Sequence, residues 1–160
     1  MIAEIFSDAL FAAIAAIGFA AINRPPRHAY FYCAVIAAVG HSVRFVLLNY
    51  CGETFSIVFA TFIAALVVGT LAVFLSPEAR TPAETCLFPA LLPMIPGIYA
   101  YKTFAGLGLC LVNGGETAFN HNFYVFASNG LICVFILAAM VVGATLPIFI
   151  FSKISFQATR

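Results

Sequence analysis

Five stretches of this chain run almost without polar residues for roughly 20 positions or more, the length a helix needs to cross the hydrocarbon layer of a bilayer. They are residues 3–22, 28–48, 54–75, 86–112 and 123–151. The connectors are short and polar or turn-forming: Asn23-Arg-Pro-Pro-Arg27, Asn49-Tyr-Cys-Gly-Glu53, and residues 76–85 and 113–122. None has room for a soluble domain. The pattern predicts an all-α polytopic membrane protein, five transmembrane helices in a single transmembrane domain over residues 1–160. Ala9–Ile22 has the small, apolar character of a signal sequence, but Glu4 and Asp8 precede it where positive charge is expected, so it reads as a retained first helix.

The fourth stretch is interrupted. Pro89, Pro93 and Pro96 remove successive backbone donors and clash with preceding carbonyls, and Gly97 opens dihedrals closed to other residues. A lone proline only kinks a membrane helix; three within eight residues predict a helix broken at Pro93–Gly97. Unwound backbone at membrane depth is tolerated where it is buried in protein or lines a water-filled cavity. Transporters use such breaks near the midplane, where the restarting half-helix aims its free N–H groups at an anionic group.

Composition supports the membrane reading. The chain is 64% hydrophobic and 8% charged, with no tryptophan, and its mean hydropathy is +1.09. A soluble protein of this length needs far more charge on its surface. With a net charge of +1 and no basic stripe, nucleic-acid binding is set aside. Cys33, Cys51, Cys86, Cys110 and Cys133 show no metal-ligand spacing and read as small hydrophobes, Cys51 alone sitting in a loop. The eighteen phenylalanines read as lipid-facing bulk, and Ser128-Asn-Gly130 and Gly143-Ala-Thr145 as small patches for close helix packing. Arg24, Arg27, Arg80, Lys153 and Arg160 fall in the first loop, the third loop and the C-terminal tail. The positive-inside rule makes these cytoplasmic and leaves the N-terminus, Glu53 and Glu116 outside, in a cell's inner membrane. An odd number of spans suits inverted pairing with a second five-helix unit; with no internal repeat here, that unit is expected on another polypeptide.

Four ionisable residues lie inside the spans, where charge is costly enough to make function the default hypothesis. Asp8 and Arg44 each sit about 7 Å inside the outer end of their helices by helical rise. They can pair structurally, Arg44 can snorkel outward, or both can meet substrate. His41 is three residues from Arg44 and shares a face with Ala37 directed into the bundle; it suits proton coupling, or simply a buried histidine bonded to a carbonyl. Its neighbour Gly40 permits close approach of another helix or a ligand. Lys102 lies about 15 Å deep by helical rise. Beside Tyr101, and above the helix start at Gly97, it would attract a carboxylate; it would equally neutralise an acidic residue of a partner.

The chain carries no Ser/His/Asp set, HExxH, phosphate-cradling loop or nucleotide motif, so it reads as no enzyme and needs no cofactor. A haem-carrying redox anchor would require paired axial histidines within the bundle, and only His41 is well placed, His28 and His121 lying at opposite membrane ends. A structural or assembly subunit without substrate contact is the other alternative.

Particular residues carry a family resemblance over most of the chain. Asp8 followed by Gly18-Phe19, then Asn23, Pro25 and Arg27, then Cys33 and Gly40-His41 with Arg44 are similar to the threonine/serine exporter family. The most specific element is Pro93-Met-Ile-Pro-Gly-Ile98 with Tyr101 beyond it, and Gly143 and Pro147 match weakly. The chain resembles the small five-helix membrane subunit, equivalent to the C-terminal half of fused exporters. The resemblance implies gradient-driven export of small polar amino acids or short carboxylates with a larger five-helix-containing partner subunit; a self-sufficient homo-oligomer is the other assembly. The broken helix and the intramembrane charges place a small anionic or zwitterionic substrate at Pro93, Pro96, Gly97, Tyr101 and Lys102, with Asp8, His41 and Arg44 in coupling or gating. Lys102 departs from the family pattern, which has a small polar residue there, and would favour a dicarboxylate over a zwitterion.

Overall fold

The computed structural model describes residues 2–50, 56–112 and 115–152, all in helices, turns and short connections. Cys51, Glu53, Lys153 and Arg160 lie outside the described residues. The order is α1 (Ile2–Asn23), α2 (Ala29–Tyr50), α3 (Ile57–Ala79), α4 (Ala83–Leu91), a single 3-10 turn (Leu92–Met94), α5 (Gly97–Val112) and α6 (Glu116–Ile150). Four of these helices are long and apolar enough to cross a membrane, and five spans result when α4 and α5 count as one broken span.

Helices overrun the expected spans, because chain that has left the hydrocarbon gains by keeping its backbone bonded. The last helix starts at Glu116 rather than Phe123, and α3 continues through Pro77 to Ala79. Pro77 was expected in a loop. Lacking an N–H, it orphans the carbonyl four residues earlier, that of Val73, and the Ser76 hydroxyl donates to this carbonyl at 2.8 Å. The helix then closes with Arg80 in the left-handed region, φ 47°, and the His28 imidazole lies 2.7 Å from the Ala79 carbonyl.

Two compact units divide the chain, Met1–Met94 with Ala139–Arg160 and Ile95–Ala138. The first is built on small residues. Ala12, Ala16 and Ala20 form the buried stripe of α1, which packs on α2 with its buried Cys33, Ile36 and Ala37, and α2 packs in turn on α3, where Ala64, Val68 and Ala72 are buried. Lipid competes with apolar side chains for apolar contact, so membrane helices associate through close packing of small residues. Glycines mark the tightest places. A Cβ on Gly69 would collide with the backbone carbonyl of Ala144, and one on Gly143 would lie 2.6 Å from the Phe62 carbonyl, so α3 and the last turns of α6 touch backbone to backbone.

The second unit pairs α5 with the first half of α6. Gly106 carries that packing, since a Cβ there would lie 2.8 Å from the Phe126 backbone nitrogen. Gly130 faces Thr103, and Asn129 turns its amide back to the Val125 carbonyl at 2.7 Å, satisfying itself within its own helix. An apolar hollow of about 550 Å³ lies between the two helices, lined by Ala100, Thr103, Phe104, Phe126 and Gly130 among others.

Candidate functional site

Proline sets the local geometry of the broken helix. The donor missing at Pro89 orphans the Thr85 carbonyl, and the buried Cys33 thiol of α2 approaches it at 3.8 Å. Cys33, expected as a small hydrophobe, thus also serves as a weak donor. After the 3-10 turn the chain passes Ile95 and Pro96, a short bond joins Gly97 N to the Ile95 carbonyl, and α5 opens with Ala100 N on the Pro96 carbonyl at 3.1 Å. An unbroken helix would satisfy the Met94 carbonyl from the nitrogen four residues on. Here the Arg44 guanidinium does so, Nη1 donating to Met94 O at 3.1 Å.

Arg44 reaches the break because Gly40, one turn earlier on α2, lets the helices close. A Cβ at Gly40 would collide with the Val68 side chain and come within 2.9 Å of the Met94 methyl. Met94 and Val68 are both fully buried there. The close approach expected at Gly40 is therefore to α3 and to the turn before the break.

On the same face of α2, His41 Nδ1 lies 2.9 Å from Asp8 Oδ2 of α1, with side chains 17% and 32% exposed respectively. A carboxylate only accepts, so Nδ1 carries the proton and donates it. The other ring nitrogen, Nε2, is buried and has no hydrogen-bond partner. Asp8 and Arg44 line one cleft of about 150 Å³ with His41, Phe45 and Leu48. The structure thus joins three of the ionisable residues singled out by sequence, with Asp8 bonded to His41, and adds a backbone acceptor, Met94 O, that no side-chain pattern announces. Counting four residues back from each proline finds the orphaned carbonyls at Val73 and Thr85 but not Met94, whose bond is lost to the break itself.

Pro96 is buried, Pro93 half-buried and Gly97 exposed. On α5, Tyr101 is 74% exposed and Lys102 is exposed beside it. Neither is enclosed within the second unit.

A family model described as "Threonine/Serine exporter, ThrE" matches residues 8–150, from Asp8 to the end of α6. The chain belongs to the threonine/serine exporter family. It is thereby a membrane-integral component of a transporter family, as the apolar helices require. A relative in Haemophilus influenzae (strain ATCC 51907 / DSM 11121 / KW20 / Rd), described only as an uncharacterized protein, is 38% identical over 150 residues. That alignment takes in 94% of this chain but 48% of the relative, so the chain spans about half the length of the curated relative it matches. No solved structure matches the chain.

Proposed function

We propose that this chain is one module of a gradient-driven secondary exporter of small polar amino acids or short carboxylates, seated in the inner membrane with its N-terminus outside. A second module of comparable length completes it, on a larger partner subunit; the relative's additional length supports this. The break at Pro93–Gly97, with Tyr101 and Lys102 beyond it, meets the substrate, and the exposure of Tyr101 suits a face turned to the companion.

The observation that carries the reading is the bond from Arg44 to Met94 O beside the Asp8–His41 pair. Ionisable residues within spans mark substrate and proton paths, and here they hold the free end of a broken helix. Histidine is the side chain whose charge changes near neutral pH. Nε2 of the His41 ring is buried and has no hydrogen-bond partner, so a donor at that atom would be satisfied only by an acceptor brought in through local rearrangement. Asp8 of α1 and Arg44 of α2 line one cleft with His41, while α3 brings no titratable residue between Ile57 and Ser76. Alternating access is then motion about the break, timed by protonation of His41.

Counterflow of radiolabelled threonine, serine and succinate into vesicles tests the reading, with and without the companion. Uptake only with both modules supports it; a stable complex that moves none of the three overturns it.

A further inference from the structure

We infer that the cleft between α1 and α2 lined by Asp8, His41, Arg44, Phe45 and Leu48 is a binding site for the carboxylate of the transported molecule, with Arg44 as its ligand in exchange for the Met94 carbonyl. The inference rests on the exporter reading above and names where in this chain the charged end of the substrate is held.

Size comes first. The cleft's roughly 150 Å³ equals about five water molecules at about 30 Å³ each, room for a molecule with a handful of non-hydrogen atoms. Polarity comes next. Its wall combines a guanidinium, a carboxylate and an imidazole with the apolar Phe45 and Leu48. Charged side chains within a membrane helix need partners or water, and a cleft of this composition provides a wet pocket with an apolar side for a short carbon chain.

Exchange at Arg44 supplies the mechanism. Guanidinium presents five donors in a planar fork that matches the two oxygens of a carboxylate. A guanidinium–carboxylate pair adds opposite charge and a bidentate geometry that a single neutral acceptor such as Met94 O does not offer. An entering carboxylate therefore competes for Nη1, and the Met94 carbonyl, whose own helix has no donor for it, is released. Ligand and break share one guanidinium, so occupancy of the cleft shifts the conformation of the break through a differential contact. Asp8 sets the remaining selectivity. Its Oδ2 faces His41 Nδ1, and a carboxylate has about four lone-pair sites, so it can also accept from an ammonium group. Amino acids and dicarboxylates share the carboxylate that Arg44 recognises and differ in what they offer Asp8.

The test uses the exporter assembled with its companion in vesicles, with threonine, succinate and threonine amide as probes; the amide keeps the size of threonine and loses the anion. The wild type is expected to prefer threonine or succinate strongly over the amide. Arg44→Gln should raise the KM for the carboxylate substrate roughly ten- to hundredfold, the effect of one lost hydrogen bond to a charged group, and bring threonine and its amide close together. Arg44→Lys should recover part of the discrimination. Leu48→Cys gives a reading independent of Arg44 variants that fail to assemble: saturating substrate should slow its alkylation, and threonine amide should not. Protection by threonine alone identifies a zwitterion, and protection by succinate alone a dicarboxylate; both support the site. Unchanged discrimination in Arg44→Gln, or alkylation of Leu48→Cys indifferent to a substrate that is being transported, overturns the inference and leaves the exporter reading standing. Absence of counterflow for every carboxylate in the wild type overturns both.

Discussion

Nδ1 of His41 and Oδ2 of Asp8 meet at 2.9 Å, joining α1 to α2 at the level where Arg44 crosses to the broken helix. The pair fixes the imidazole tautomer and leaves the buried Nε2 without a hydrogen-bond partner. Asp8→Asn removes the charge but keeps an acceptor in place. We expect accumulation driven by an imposed pH gradient to fall at least tenfold, exchange of threonine to weaken because its ammonium loses the anionic acceptor, and exchange of succinate, which offers Asp8 no cation, to persist. Succinate counterflow and gradient-driven succinate uptake, measured in the same vesicles, separate coupling from binding; equal loss of both would show that Asp8 serves exchange and not coupling.

Helix packing gives a prediction that needs no transport assay. Gly69→Ala sets a methyl against the Ala144 carbonyl, which cannot rotate away, and overpacking of this kind costs about 1–3 kcal/mol. Gly108 has open space around the same position, so Gly108→Ala gains helix propensity, worth up to about 1 kcal/mol. Thermal unfolding in detergent should lower the midpoint of the first variant and leave the second equal or higher.

The prolines of the break have separable roles. Pro96 precedes the restart of α5 and is buried, whereas Pro89 lies inside α4 with its orphaned Thr85 carbonyl met by Cys33. Pro96→Ala restores a backbone donor near the interruption and should favour continuous helix, slowing transport tenfold or more with the complex intact. Pro89→Ala restores a bond that the thiol already replaces in part, and should change transport less than threefold. Uptake rates normalised to assembled complex distinguish them.

Lys102 is exposed on α5, next to Tyr101. Lys102→Thr should shift preference away from succinate and toward threonine, because a second anionic group loses its cationic counterpart. Competition between the two substrates in counterflow reads this directly. An unchanged ratio would assign Lys102 to a companion's acidic residue, and cross-linking through Lys102→Cys would then locate that residue.

Much of the architecture was legible because the bilayer reduces the number of solutions: an apolar run of sufficient length must bond its backbone internally, so it becomes a helix. The break was legible for a related reason, since prolines delete donors wherever they stand. Helix ends were not. Glu116 to Asn122 reads as loop by polarity yet forms the first turns of α6, because hydropathy marks where hydrocarbon ends and not where backbone hydrogen bonding does. Pro77 misleads likewise, its missing bond being replaced by the Ser76 hydroxyl.

Of the candidate site, sequence identified Asp8, His41 and Arg44 as costly groups at membrane depth and placed His41 and Arg44 on one helix face. It left their partners open. Spacing along one helix says nothing about which group on another helix stands opposite, and the acceptor for Arg44 is a backbone carbonyl, which every residue possesses and none advertises. Hydropathy, proline placement and the family motif thus determined a helical membrane component of the threonine/serine exporter family with an interrupted fourth span. Only the tertiary structure decided that Asp8 holds His41 and that Arg44 holds Met94, because Gly40 lets α2 approach Val68 and Met94 closely enough for a guanidinium to replace the donor the broken helix lacks.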